Sequence, residues 1–130
     1  RAVVEPVNDF CTQDDYERFM NQVNEFESML VDSGIKLIKF YFSISKNEQA
    51  KRVDEIRSNP LKIWKMSPVD DSAQALWDKY TEYKEAMFEK TNTKKSPWVI
   101  INANRKTVAR IAAIKHLLKV IPEREQYVIK

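Results

Sequence analysis

Two short apolar runs, "IKLIKFYFS" at residues 35–43 and "WVIIN" at residues 98–102, constrain the fold most, because segments of helical period surround and separate them. Runs so brief read as buried strands, since a buried helix needs roughly ten or more residues. Strands separated by helices are expected to pair in parallel, because parallel neighbours need a long crossover and helices supply it. The expected class is therefore an α/β layered fold with parallel strands. Two strands alone leave open edges and bare faces. Further strands are expected to come from an absent N-terminal portion or from a second copy of the chain.

The helices between these strands carry their own start and stop signals. Thr12 with Asp15 caps a first helix, Tyr16, Phe19, Val23, Phe26 and Leu30 recur at helical spacing, and Gly34 closes it. Ser45 with Glu48 caps a second helix that runs to about Ser58, where "NP" stops it. Residues 59–70, with two prolines and no clean period, read as an ordered loop and as the segment expected to move. Asp70, Asp71 and Ser72 offer caps for a long helix to Lys90, with Leu76, Tyr80, Tyr83, Met87 and Phe88 as its stripe. After the second strand, Asn104 can cap a final helix whose Val108, Ile111, Ala112, Leu118 and Ile121 are expected to face the core.

Composition excludes several functions. The single glycine, Gly34, cannot supply a GxxxxGK[ST] phosphate loop, which needs two, or a dinucleotide loop, which needs three. That scarcity, with a start at Arg1 instead of Met, gives the expectation that the chain is a piece of a longer protein. The one cysteine, Cys11, rules out an internal disulfide and a cysteine zinc cluster, and reads as a buried thiol. His116 has no second histidine nearby and reads as an ordinary satisfied side chain. No apolar run approaches the roughly 18 residues of a membrane span and no signal-peptide pattern opens the chain, so a cytoplasmic protein without a membrane partner is expected. At 130 residues and 43% hydrophobic, residues 1–130 read as one domain with its own core.

Charge is unevenly placed. Between Lys46 and Lys65 stand six basic residues (Lys46, Lys51, Arg52, Arg57, Lys62, Lys65) and three acids, whereas the rest of the chain is balanced at sixteen of each sign. A solvated face is the ordinary meaning of a charge run, and basic residues near a helix end also complement its dipole. Here the balance elsewhere, and Trp64 lying between Lys62 and Lys65 where an aromatic can pin a closing loop, point instead to a multiply charged anion. Phosphate chains suit such a set, because arginine forks reach two oxygens at once and lysines add point charges.

The segments "KFYFSISKNEQAKR", "NPLKIWKMSPVD", "LWDKYTEYKEAMFEKTNT" and "PWVIINANRKTVARIAAIKHLL" resemble, in order, the second half of the type 2 polyphosphate kinase family. The resemblance implies a partial P-loop kinase-like three-layer fold lacking the N-terminal phosphate-loop half. It implies phosphoryl transfer between inorganic polyphosphate and nucleoside diphosphates, with Mg2+ held by ligands in the missing N-terminal part; a homo-oligomer is expected besides. Arg1 matches the arginine that ends the family's "WYNR" stretch and, with Arg52, takes a catalytic place. Residues 46–70 become the lid, in which Lys46, Arg57, Lys62 and Lys65 would meet phosphates, and Asn102 and Asn104 lie where such kinases hold the base. The chain by itself is expected to be inactive. The alternatives are a non-enzymatic module that binds nucleic-acid phosphates, which the resemblance disfavours, and an oligomerisation fragment.

Overall fold

The computed structural model describes residues 1–121. Its centre is a parallel pair, β1 (Lys39–Ser43) and β2 (Trp98–Asn102), in register from Lys39 opposite Trp98 to Ser43 opposite Asn102. Side chains alternate across the pair, so Lys39, Tyr41, Trp98 and Ile100 share one face and Phe40, Phe42, Val99 and Ile101 the other. Helix α5 (Trp77–Thr91) covers the first face, where Phe88 meets Tyr41 and Trp98 edge-on at 5.0 and 5.6 Å. Helix α6 (Lys106–Val120) covers the second, with Ala109 and Ala113 packed by Ile101 and the His116 ring edge-on to Phe40 at 5.5 Å. Helix α2 (Gln13–Asp32) lies beside α5, joined by the Tyr16 and Tyr83 rings at 5.2 Å. The layered α/β expectation holds. Phe42 and Ile100, one on each face, stay half exposed, and no further strand pairs with either edge among the described residues.

Local chemistry explains where the elements begin and end. Thr12 Oγ1 accepts from the Asp15 amide to start α2. At its end Gly34, at φ +92°, allows Ile35 N–H to reach Leu30 O and Gly34 N–H to reach Val31 O, a Schellman closure. That closure holds Ile35 outside the sheet, so β1 begins at Lys39, four residues later than the apolar run suggests.

The long helix expected up to Lys90 is in fact two. Ser67 and Asp70 form a reciprocal capping box that starts α4 (Pro68–Ser72), with Pro68 at the first turn, where its missing N–H costs nothing. The expected caps, Asp70, Asp71 and Ser72, therefore lie inside that helix, and α5 starts only at Trp77. A short helix α1 (Val4–Val7), which the sequence did not announce, docks on α5 through Asn8 Nδ2 to Tyr80 Oη (2.6 Å) and Lys79 Nζ to Val7 O (3.0 Å). Within residues 59–70, Ile63–Lys65 forms a 3-10 turn.

Two packing expectations fail. In α6 the sheet-facing side chains are Ala109, Ala113 and His116, whereas Val108, Ile111, Ala112, Leu118 and Ile121 are exposed. Apolar residues occupy both faces of this helix, so periodicity could not fix its rotation. Cys11 is only partly buried.

One surface ion pair ties the approach to β2 to the end of α2. Lys95 Nζ lies 2.7 Å from both oxygens of Asp32, which also accepts from Ser28 Oγ, and these hold the Asp32 carboxyl below its usual 3.8. A carboxyl depressed by folding stabilises the native state above the unfolded value and loses that contribution as pH falls through the folded one. Asp32→Asn should therefore lower the urea midpoint near neutral pH, with the gap to the parent narrowing below about pH 4. A gap of constant size down to about pH 2 would contradict this assignment.

Candidate functional site

The carboxyl ends of parallel strands are where α/β folds gather ligand-binding loops, and here the chain leaves both ends abruptly. From Ser43 it passes through Ile44 and Ser45 into α3 (Lys46–Arg57). From Asn102 it passes through Ala103, Asn104 and Arg105 into α6. The two exits are bonded together. Ala103 N–H donates to Ser43 O at 2.7 Å, extending the ladder, and Ser45 N–H donates to Asn104 Oδ1 at 2.9 Å. Asn102 Oδ1 accepts from the Asn104 amide at 3.1 Å, which shapes the turn.

Asn104 thus serves the beginning of α3, whose cap residue is Ser45, and does not cap α6. Helix α6 begins at Arg105 with no side-chain cap and no acid in its first turn. Arg105 and Lys106 stand there beside free helical amides, an arrangement that favours anions. The "NRK" run directly after a strand was the available sequence signal for these two residues.

Arg52 is the most engaged of the expected residues. Its Nε donates to Glu48 Oε1 at 2.7 Å and its Nη2 to Ala103 O at 2.7 Å and Asn104 O at 3.3 Å, leaving the side chain 22% exposed. Nη1 has no partner among the described residues. An open cleft beside it is lined by Glu48, Arg52, Glu55, Asn104, Arg105, Lys106 and Thr107. On the other side of α3, Gln74 Nε2 donates to Gln49 Oε1 at 2.6 Å and to Lys46 O at 3.2 Å.

The remaining cations stand further out. Arg57 Nη2 bridges to Asp71 Oδ1 at 2.7 Å, with both side chains at least half exposed. Lys46, Lys62 and Lys65 are exposed and form no ion pair among the described residues. Trp64 is 75% exposed; it donates Nε1–H to Leu61 O and lies under Lys65 Nζ at 5.3 Å, so it braces the turn. Residues 59–65 are otherwise held by bonds within the turn, from Lys62 and Ile63 N–H to Asn59 O and from Leu61 N–H to Asn59 Oδ1. Arg1 pairs with Glu5 at 3.0 Å, and no hydrogen bond or ion pair among the described residues links it to the strand-end cluster.

Among the described residues no group of three or more His, Cys, Asp or Glu could hold a metal ion. No helix of the described residues is long and apolar enough to cross a membrane.

Known proteins resemble this chain in sequence and in fold. The Polyphosphate kinase 2 family model matches residues 1–128. The NDP-polyphosphate phosphotransferase 2 of Ruegeria pomeroyi is 45% identical over 99% of this chain and 38% of that protein. The ADP-polyphosphate phosphotransferase 1 of Rhizobium meliloti is 45% identical over 91% of this chain and 39% of its own length. The crystal structure of Polyphosphate Kinase 2 from Arthrobacter aurescens TC1 superimposes with a TM-score of 0.82 at 34% identity, covering 98% of this chain and 47% of that one. This chain spans about two fifths of the length of those curated relatives. A match over almost the whole chain, by family pattern, by sequence and by fold, places it: the chain belongs to the polyphosphate kinase 2 family.

Proposed function

We propose that this chain is the C-terminal, lid-bearing portion of an enzyme that moves phosphoryl groups between inorganic polyphosphate and nucleoside diphosphates. The observation that carries the reading is the bonding of α3 to the β2 exit at the strand ends, with Arg105 and Lys106 lining the cleft beside Arg52, while Lys46, Lys62 and Lys65 stand further out without an ion pair among the described residues. Phosphoryl transfer passes through a loose transition state with its charge spread over the migrating group, so fixed positive charge and alignment do most of the work. Arg52 would offer Nη1 to a phosphate oxygen while its other nitrogens hold it in place. Lys46, Arg57, Lys62 and Lys65 would neutralise the rest of the phosphate chain, and closure of residues 46–70 would exclude water. Asn102 and Asn104 would border the nucleotide base. Arg1 would take its catalytic place only after exchanging Glu5 for substrate. Magnesium, if used, would take its ligands from outside this chain, and a homo-oligomer in the cytoplasm is the expected setting.

The test uses a longer protein that carries this chain together with the upstream part its relatives possess. Supplied with polyphosphate, magnesium and ADP or GDP, it should form the triphosphate, and this chain by itself should not. A folded longer protein that transfers nothing to any nucleoside diphosphate, yet binds random duplex DNA with steep salt dependence, would favour the nucleic-acid reading instead.

A further inference from the structure

The bonds around α3 are distributed unequally along it, and the inequality locates a hinge. Its first half is tied to the body from two sides. Asn104 Oδ1 accepts the Ser45 amide and Arg52 grips the carbonyls of Ala103 and Asn104 on one side, while Gln74 holds Gln49 and the Lys46 carbonyl on the other. Beyond Arg52, the only ion pair to the body among the described residues is the exposed one between Arg57 and Asp71. The last turn of α3 and residues 59–65 otherwise hold mainly to themselves.

We propose that Asn104 and Gln74 are positioning residues that fix residues 45–52 to the strand ends, so that the moving part of the lid begins after Arg52. The basic set then divides in two. Lys46 and Arg52 form a stationary side, with Arg105 and Lys106, and Arg57, Lys62 and Lys65 form the side that swings. A phosphate chain is clamped between them, the fixed side setting its position and the moving side excluding water. Fixing Arg52 in advance also spares the ordering of a long side chain when substrate arrives.

This assignment of sides rests on the proposed lid and phosphate reading, but the hinge can be measured without any transfer reaction. Amide hydrogen exchange followed residue by residue in the chain should show residues 49–53 protected at least about tenfold more than Ser58, Lys62, Ile63, Lys65 and Met66, since opening of the flap leaves the anchored turns intact. Asn104→Ala should release the Ser45 amide and bring residues 49–53 toward the rate of the flap. Asn104→Asp, which keeps the acceptor oxygen, should restore most of the protection. Gln74→Ala should loosen the same turns if Asn104→Ala proves too damaging to fold. One common rate through residues 49–66 in the parent chain, or no rescue by Asn104→Asp in folded protein, overturns the hinge and leaves the phosphotransferase reading untouched. Tripolyphosphate supplies the other arm. It should slow exchange at residues 58–66; an unchanged flap beside an intact step in protection would remove the phosphate reading and keep the hinge.

Discussion

Glu27→Leu should cost this fold about 3–5 kcal/mol, because it leaves a buried ammonium without its counter-ion. Lys39 is only 8% exposed at the start of β1. Its Nζ reaches Glu27 Oε2 at 2.8 Å and Thr91 O at 2.6 Å, and sits 4.9 Å over the Trp98 ring. Glu27 in turn accepts from the buried Ser96 Oγ at 2.6 Å. One ion pair thus joins α2, the end of α5, β1 and the turn before β2, all at the end of the strands opposite the candidate site. Buried pairs seldom outperform an apolar replacement of both partners, so the double change Glu27→Leu, Lys39→Met should recover most of the loss. Ser96 would keep Thr93 as its partner, and Thr91 O would keep the Thr93 amide. Urea unfolding of the two singles and the double decides the matter. A double variant no more stable than Glu27→Leu alone would show that the pair stabilises in its own right.

That network also shows what a sequence hides. The run "IKLIKFYFS" announces a strand, but nothing local distinguishes Lys36, which is exposed, from Lys39, whose partner lies twelve residues back on another helix. Signals confined to a few residues were legible. The Thr12 and Ser45 caps, the closing Gly34, the parallel pairing and the family resemblance all follow from short patterns. Signals that depend on which surface faces which were not. The outward apolar residues of α6 look like core because apolar residues fall on both faces of that helix. Asn104 illustrates both. Its position before a helix suggests a cap, but its side chain accepts instead from the amide of Ser45, the cap residue of α3, fifty-nine residues earlier in the chain and adjacent in space.

Arg52→Ala should have the largest effect on turnover in the longer enzyme, a fall in kcat on the order of 100- to 1,000-fold, comparable with removing one preorganised donor from a site of developing charge. The expectation depends on the proposed function, and the geometry says why this arginine should outweigh its neighbours. Its Nε and Nη2 are already committed to Glu48 and to the carbonyls of Ala103 and Asn104, so Nη1 is held in one direction before substrate arrives. Arg57 has only an exposed carboxylate to orient it, and an exposed pair is worth little. Arg57→Ala should therefore act mainly on KM for polyphosphate, and act less at high salt. Arg52→Lys separates charge from geometry. Lysine keeps the positive charge but cannot grasp Glu48 and the carbonyls while presenting a further donor, so it should restore only part of the lost turnover. If Arg52→Lys matches the parent, the guanidinium fork is irrelevant and simple charge suffices. If Arg52→Ala also matches it in folded enzyme, Arg52 contributes nothing to transfer, and catalysis must rest on the other cations of the clamp together with groups outside this chain.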